Sequence, residues 1–339
     1  MIRRLFLQSL AGATLAAQPA ARIRIAFLGG SHSHAEAKVK VVMTSPDYEL
    51  AGLWEEDSKA REGYERAGVR MLSRDQILDD KSIQVIAVES EVAEHGPHAR
   101  AAVEAGKHVH IEKPPALDVG SFRSLLDLAE QKRLHVQVGY MWRHHPGINK
   151  ALEAARRGWL GDVYLVRGTM NTLIPADRRP EWAKFRGGQM FEQGPHMIDP
   201  IVRLLGRPER VTSVLKKSGD YNDSLADNTV AVLEYGRALG IVMCSTLQPN
   251  AFRHRTFEIL GTKGTAAVRP IEPAALEIDL AEAAGPYQAR LQKVKLPPYE
   301  RYVDDFKEMA SAVRGEKPLS VSPRENLLVQ ETLIRASQM

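Results

Sequence analysis

Short apolar runs alternate with helix-length amphipathic segments along the first part of the chain. The apolar runs predict five buried strands, at 22–28, 48–54, 83–88, 108–111 and 135–140. Helical spacing of apolar residues appears between them, at 34–43, 58–67, 98–105 and 122–132. Strands that alternate with helices of this length form parallel βαβ units with right-handed crossovers. This part of the chain therefore predicts an α/β domain built on a parallel sheet.

The pattern changes after Pro146. One helix is predicted at 148–157, and apolar runs then follow one another without helices between them, at 162–168, 210–215, 228–235, 238–245 and 254–260. Consecutive strands of this kind form antiparallel sheets. Helical spacing returns at 302–313 and 323–337. We therefore predict an α/β domain at 22–145, followed at 146–339 by an α+β domain with a mostly antiparallel open sheet.

Size and composition agree with two soluble domains. The chain has 339 residues, more than the roughly 250–300 at which one core usually stops growing. Its net charge of +4 is small for this length, and it gives no electrostatic case for binding nucleic acid, which needs a clustered basic face. The single cysteine, Cys244, excludes an internal disulfide and lies in an apolar run typical of a buried thiol.

The first 21 residues have the order of an export signal. The pair Arg3-Arg4 precedes an apolar stretch at 10–17, and small residues continue to Ala21. This order resembles a twin-arginine signal and predicts a periplasmic protein. The alternative is a frayed amphipathic terminus, in which case the protein stays in the cytoplasm. No other stretch approaches the roughly 18 apolar residues of a membrane span, so no membrane partner is expected.

The turn after the first strand is a candidate phosphate-binding loop. Gly29, Gly30, Ser31 and His34 are its candidate cofactor-binding residues. A dinucleotide site needs a tight strand-to-helix turn, so that backbone N–H groups and a helix N-terminus meet the pyrophosphate. The run departs from G-x-G-x-x-G, because serine and histidine stand where that pattern has its second and third glycines. An ordinary strand-to-helix turn is the alternative.

An acidic residue ends the second strand, where an acid is expected to contact the adenosine ribose. Glu55 holds that position, with Glu56 and Asp57 beside it. A carboxylate accepts hydrogen bonds from both ribose hydroxyls and repels a 2′-phosphate. The position therefore favours NAD over NADP as the cofactor, and the alternative is a solvated acidic turn.

The end of the fourth strand carries the most specific motif. Ala105-Gly106-Lys107-His108-Val109 leads to Glu112-Lys113-Pro114, and this segment resembles the hallmark of the Gfo/Idh/MocA oxidoreductase family. The resemblance spans almost all of 22–337. It implies a Rossmann domain, with Lys113 as a catalytic residue and Glu112, Lys113 and Pro114 at the cofactor. It also implies that the bond between Lys113 and Pro114 is often cis.

A second motif is similar to the family's glycine pair followed by D-x-G-x-H-x-x-D. Here Gly187-Gly188 precedes Glu192, His196 and Asp199. The resemblance implies that His196 is a second acid/base or substrate-orienting group, that Glu192 replaces the family aspartate, and that Asp199 contacts substrate. The spacing of four and three predicts that all three side chains share one helix face. Pro195 and Pro200 would disturb such a helix, unless Pro195 falls in its first turn.

Further residues match the family less specifically. Trp142, Arg143 and His144 stand in a turn after the fifth strand and are candidate substrate contacts. His95 fits the family histidine that begins the helix before Gly106 and is a candidate cofactor contact, although the residues before it depart from the family pattern. Trp182 is a candidate to stack on a sugar ring, and core packing is its alternative.

The chain has three histidine pairs, 32/34, 108/110 and 144/145, but none has the helical spacing with a nearby acid that a zinc enzyme shows, so no metal is expected. The resemblance implies an oxidoreductase acting on a sugar, sugar acid or cyclitol, assembled as a homodimer or homotetramer. A redox-neutral NAD-dependent glycosidase is the second hypothesis. A sugar- and dinucleotide-binding protein without turnover is the third.

Overall fold

The structure is a computed structural model and describes residues 21–339. The predicted export segment lies outside the described residues, apart from its last residue. Within residues 21–339, no helix is both long and apolar enough to span a bilayer.

A five-stranded parallel sheet forms the core of the N-terminal part, with the strand order β2-β1-β3-β4-β5. The strands are β1 (Ile23–Leu28), β2 (Tyr48–Trp54), β3 (Val85–Val88), β4 (His108–Ile111) and β5 (Val136–Val138). The helices are α1 (Ala35–Thr44), α2 (Ser58–Arg66), α3 (Arg74–Asp79), α4 (His95–Glu104) and α5 (Val119–Gln131). The predicted alternation of strands and helices is confirmed, and the short α3 is the element that apolar periodicity does not predict.

The strand order opens a crevice at one edge of this sheet. β1 pairs with β2 on one side and with β3 on the other, so the crevice lies at the carboxyl ends of β1 and β3. Ligands of open α/β sheets bind at such a switch point. Gly29 and Glu89 follow these two strands directly, so both stand at the edge of the crevice.

An eight-stranded sheet dominates the C-terminal part, with the order β13-β12-β11-β10-β6-β9-β8-β7. Its strands are β6 (Val163–Thr169), β7 (Arg210–Lys216), β8 (Asn228–Glu234), β9 (Leu239–Ser245), β10 (Thr256–Gly261), β11 (Gly264–Val268), β12 (Leu276–Leu280) and β13 (Arg290–Val294). All pairs are antiparallel except β6 with β9. The predicted mostly antiparallel sheet is confirmed. The remaining helices are α6 (Pro146–Arg156), α7 (Arg179–Ala183), α8 (Gly188–Gln193), α9 (Pro195–Leu205), α10 (Val303–Val313) and α11 (Pro323–Ala336).

One face of the eight-stranded sheet packs against α6, α8, α9 and α11. Its other face is not covered by any element of residues 21–339, and apolar side chains from neighbouring strands stand in register on it. Val214 of β7 is opposite Val230 of β8, which is opposite Met243 of β9. Val214 is 53% and Met243 45% exposed. We call these residues, with Val232 and Ile241 beside them, the open face.

The helix α10 returns to the first sheet. Tyr48 of β2 donates a hydrogen bond from its hydroxyl to the carbonyl of Phe306 at 2.8 Å. The Phe306 ring lies 5.8 Å from the Tyr48 ring and 4.7 Å from the His110 ring. The two sheets thus fall on either side of the predicted boundary at 145/146, while α10 packs against the sheet that precedes it.

Candidate active site

Two adjoining cavities open at the crevice and share Ser31 and Glu91 in their walls. One, of about 290 Å³, lies at the carboxyl ends of β1, β2 and β3. The other, of about 150 Å³, lies between the 29–34 turn, Lys113 and the residues of α7 and α8. We call these two cavities together the trough.

The 29–34 turn has the close backbone packing that a dinucleotide loop needs. Gly29 has a φ of +85°, and a Cβ there would lie 2.4 Å from the Cα of Ser90. A Cβ on Gly30 would lie 2.5 Å from the Tyr64 ring. Both positions therefore require glycine. His34 is the N-cap residue of α1, but its side chain makes no hydrogen bond to the helix. This residue therefore provides no side-chain acceptor for the first N–H groups of α1. These features fit the pyrophosphate of a dinucleotide.

Glu55 stands at the end of β2 as predicted, and its carboxylate reaches the turn. Oε2 accepts a hydrogen bond from the Gly30 N–H at 2.6 Å, and Oε1 accepts one from the Asp57 N–H at 2.8 Å. The surrounding cavity is rich in acids and, among its described lining residues, holds no lysine or arginine. The acids are Glu55, Glu56, Asp57, Glu91 and Glu94.

Lys113 and Glu192 meet in the trough. The Lys113 ammonium is 2% exposed and lies 3.1 Å from the Glu192 carbonyl and 3.3 Å from its carboxylate. Burial raises the pKa of Glu192, and the Lys113 charge acts against that shift. The bond between Lys113 and Pro114 is cis, as the resemblance implies.

His196 is buried close to this pair, with its ring 6.5 Å from the His34 ring and 5.4 Å from the Trp142 ring. Its Nδ1 is buried and has no hydrogen-bond partner among the described residues. Burial holds the pKa of His196 well below its ordinary value, and the Lys113 charge adds to this effect. The imidazole is therefore neutral at pH 7.

The prediction of one shared helix face is wrong for Glu192. Glu192 lies on α8, whereas His196 and Asp199 lie on α9, and Gly194 joins the two helices. Pro195 begins α9 and has no N–H to continue the hydrogen-bond ladder of α8. A Cβ on Gly194 would lie 2.3 Å from the Met190 carbonyl, so the junction is tight.

Arg143 and Asp199, predicted to contact substrate, form a buried ion pair instead. Nε and Nη2 of Arg143 donate to one Asp199 oxygen at 3.0 and 2.7 Å, and Nη2 also donates to Asn326 at 2.7 Å. Arg143 is 5% and Asp199 2% exposed. Their charges compensate each other beneath the site, and neither lines the trough.

The other predicted substrate contacts divide into two groups. Trp182 lines the trough beside Glu192, as expected for a residue that stacks on a sugar. Trp142 is buried behind His196. His144 lies 3.6 Å from the Glu308 carboxylate on α10, outside the trough.

His95 and Pro114 support the trough from behind. The His95 ring is fully buried, with its nitrogens 2.8 Å from the Pro114 carbonyl and 2.9 Å from the Ser90 carbonyl. Burial lowers the pKa of His95 to about 4. The predicted cofactor contact of His95 is replaced by contacts that hold the segment after Lys113 against the end of β3.

Glu112 is also fully buried and belongs to a charged cluster that sequence reasoning missed. Lys38 of α1 donates to the carboxylates of both Glu112 and Glu89. Burial raises the pKa of Glu89 to about 8, although the Lys38 charge opposes this. One sequence signal was present, since Lys38 occupies the core-facing position between Ala35 and Val39, with Val42 one turn further on.

Comparisons with known proteins agree with this geometry. Residues 23–140 match the model of the oxidoreductase family with an NAD-binding Rossmann fold, and residues 148–267 match the GFO/IDH/MocA C-terminal domain. An uncharacterized oxidoreductase, ORF334 of Rhizobium meliloti, is 25% identical over 88% of this chain and 91% of its own. The myo-inositol 2-dehydrogenase of Thermotoga maritima is 23% identical over 85% of this chain and 86% of its own.

Among solved structures, GenD2 from gentamicin A biosynthesis, in complex with NAD, superposes with a TM-score of 0.79. It is 24% identical, over 95% of both chains, and this likeness concerns the fold. The matched family models, the two sheets and the glycine turn agree with one another. The chain is an NAD(P)-dependent oxidoreductase of the Gfo/Idh/MocA family.

Proposed function

We propose that this oxidoreductase takes a hydride from a hydroxyl-bearing carbon of a sugar, a sugar derivative or a cyclitol. The observation that carries the proposal is the contact between Lys113 and Glu192 in the trough, with the neutral, unpartnered His196 close to it. A bound NAD supplies the hydride acceptor. Its pyrophosphate would be held by Gly29, Gly30, Ser31 and the N-terminus of α1. Glu55 would contact its adenosine ribose.

Lys113, Glu192 and His196 have different roles at the substrate hydroxyl. Lys113 donates a hydrogen bond from Nζ to the reacting oxygen, and Glu192 keeps that ammonium in place. His196 is neutral at pH 7, and it takes the hydroxyl proton at a ring nitrogen as the hydride leaves the carbon. General acid–base groups of this kind contribute about 10²–10⁴-fold to the rate.

The lining of the trough supports a polyol as substrate. Arg178, Glu181, Glu192 and Gln193 supply hydrogen-bond donors and acceptors, and Trp182 supplies a flat apolar surface. Carbohydrate sites combine these two features. The relative from Thermotoga maritima is named for its action on myo-inositol, which agrees with this substrate class.

Charge supports NAD as the cofactor rather than NADP. The cavity at the end of β2 brings five carboxylates together, and a 2′-phosphate there would meet like charge. A relative from Bacillus subtilis, 25% identical over 52% of this chain, is named an NADP(+) enzyme, so the preference needs a direct measurement.

The paired arginines near the N-terminus support export to the periplasm, where no pool of free NAD exists. An exported enzyme would load its cofactor before export and regenerate it in place. This favours a paired oxidation and reduction, or the redox-neutral glycosidase cycle, over release of NADH. The supporting observation is sequence order alone, in 1–21.

The open face supports assembly with a second copy of the chain. Monomers rarely leave a contiguous apolar patch of this kind in water. A face of the same sheet from another subunit would cover Val214, Val230 and Met243.

One experiment tests the function. The purified protein is denatured, the released dinucleotide is identified, and the native protein is screened with polyols, sugars and aryl glycosides. We expect NAD and oxidation of a polyol. Hydrolysis of aryl glycosides without net oxidation would establish the glycosidase, and the absence of any turnover with bound NAD would favour a binding protein.

A further inference from the structure

Two histidines of the glycine turn converge on a carboxylate from a distant strand end. His32 and His34 lie between β1 and α1, and Glu112 follows β4. One donor atom from each of the three residues lies within 4.8 Å of the other two. The sequence alone disfavours a metal because this histidine pair does not have the helical spacing with a nearby acid that a zinc enzyme shows. The fold brings in Glu112, which is 78 positions away from His34.

His34 and Glu112 contact each other directly through Nδ1 and Oε1. Nδ1 of His34 lies 3.2 Å from Oε1 of Glu112, yet it is buried and without an aligned hydrogen-bond partner among the described residues. Ligands around one tetrahedral ion at about 2.0–2.2 Å are separated by a similar distance. The two atoms are therefore spaced like ligands of one cation.

The carboxylate is already oriented for this role. Lys38 holds Oε2 of Glu112, and the backbone N–H of Lys113 donates to Oε1 at 2.9 Å. These contacts leave Oε1 with a second lone pair on the side of the histidines. Partners behind a ligand fix its direction in known metal sites.

The cluster also has an open side. His32 and His34 line the trough together with Lys113 and Glu192, and both histidines are partly exposed. A metal held by three protein ligands would keep a coordination position facing the trough. Sites with an open position are the kind that bind an oxygen of a substrate or cofactor.

We propose that His32, His34 and Glu112 bind one divalent first-row transition-metal ion at the phosphate-binding turn, with Zn²⁺ as the expected ion. Two imidazoles and one carboxylate suit Zn²⁺, and the same set also occurs around Fe²⁺. The site occupies the part of the turn where serine and histidine replace glycines of the dinucleotide pattern. It lies beside Lys113, within reach of an oxygen in the trough.

The test uses full-length protein without a histidine tag. After dialysis against a chelator, the protein is titrated with Zn²⁺ and with Co²⁺, whose visible absorption reports its ligands, and bound metal is counted by mass spectrometry. We expect one ion per chain. His32→Ala and His34→Ala should each weaken Co²⁺ binding by at least about 10-fold, while His135→Ala should bind as the wild type does. His135 is a matched control because it is also a histidine beside another histidine, with its ring stacked 5.0 Å from the His108 ring.

A second measurement guards against variants that misfold. Zn²⁺ should raise the unfolding temperature of the wild type and of His135→Ala, and this shift should be lost in His32→Ala. His32 makes no contact with the buried Lys38. A lost shift in His32→Ala therefore reports the loss of a metal ligand and not a loss of folding. Fe²⁺ bound anaerobically by the same residues would support the site with a different ion.

Less than about 0.1 ion per chain at saturating Zn²⁺ and Fe²⁺ would overturn the proposal, as would unchanged affinity in both histidine variants. All titrations are made without substrate, so their outcome is separate from that of the proposed oxidation.

Discussion

The Lys113 ammonium contacts both the carbonyl and the carboxylate of Glu192, at 3.1 and 3.3 Å. This contact joins the carboxyl end of β4, a strand of the first sheet, to α8, a helix that packs against the second sheet. Both side chains are nearly buried. The proposed catalytic pair therefore forms only where the two parts of the chain pack together, in the wall of the trough.

Removing the Glu55 carboxylate should change cofactor choice. Glu55→Ala should lower the affinity for NAD by about 10-fold or more, because a charged hydrogen bond contributes about 1.5–3 kcal/mol. The ratio of NADP to NAD affinity should rise, since one repelling charge is lost. Glu55→Gln keeps an acceptor for the Gly30 N–H and so separates charge from positioning. Titration of both cofactors checks this, with Glu130→Ala, which removes an exposed carboxylate on α5, as control. An unchanged preference in Glu55→Ala would mean that another residue contacts the ribose.

The buried pair of Arg143 and Asp199 should matter for stability. Arg143→Leu leaves the Asp199 carboxylate buried with only Arg203 near it, at 3.5 Å. The free energy of unfolding should fall by about 3–5 kcal/mol, the usual cost of breaking a buried pair. Urea denaturation measures it. Arg210→Leu, which breaks an exposed arginine–glutamate pair, should have little effect. If both variants unfold alike, the buried pair is not what stabilises this region.

Acid should destabilise the protein through His108. Burial lowers the pKa of His108 from its ordinary 6.5 to about 4, and His135 adds to the shift. Between these two values the unfolded chain binds a proton that the folded chain does not, so stability falls as the pH is lowered from 6.5 to 4. His108 is partly exposed, so we expect its share to be about 1–2 kcal/mol.

The variant His108→Asn isolates this effect. Nδ1 of His108 accepts a hydrogen bond from the His135 N–H at 3.0 Å, and the asparagine oxygen can take its place without titrating. Unfolding free energies of both proteins are compared at pH 7 and pH 4. The variant should lose less stability than the wild type, and equal losses would show that His108 does not contribute.

The open face should hold subunits together. Met243→Glu introduces a charge at the centre of this face, so it should convert the oligomer to monomers in sedimentation experiments. Met43→Glu is the matched control, because Met43 is similarly exposed, at 49%, but lies at the end of α1. A wild-type protein that sediments as a monomer would show that the face is not an interface.

Sequence patterns predict the parts of this fold that depend on local burial. β1, β3 and β4 are almost wholly buried, so their apolar runs stand out, and Lys113 is found because it follows such a strand. The edge strand β13 is mostly exposed and carries no apolar run, so the pattern of apolar residues does not predict it.

Contacts between distant residues account for what the sequence does not predict. Arg143 has the residue type of a substrate ligand, and its pairing with Asp199 depends on how α9 packs. Glu112 is predicted to contact the cofactor, whereas in the structure its carboxylate accepts a hydrogen bond from Lys38 of α1. The same folding brings Glu112 to His32 and His34, which are far from it along the chain.

The most direct test of the proposed oxidation is a single turnover followed by stopped-flow absorbance. Protein loaded with NAD is mixed with the most active polyol of the screen, and formation of reduced nicotinamide is recorded. Lys113→Met should bind NAD with nearly wild-type affinity and reduce it about 10²–10⁴-fold more slowly. Lys132→Met, which removes an exposed lysine after α5, should match the wild type. Reduction by Lys113→Met at the wild-type rate would contradict the account.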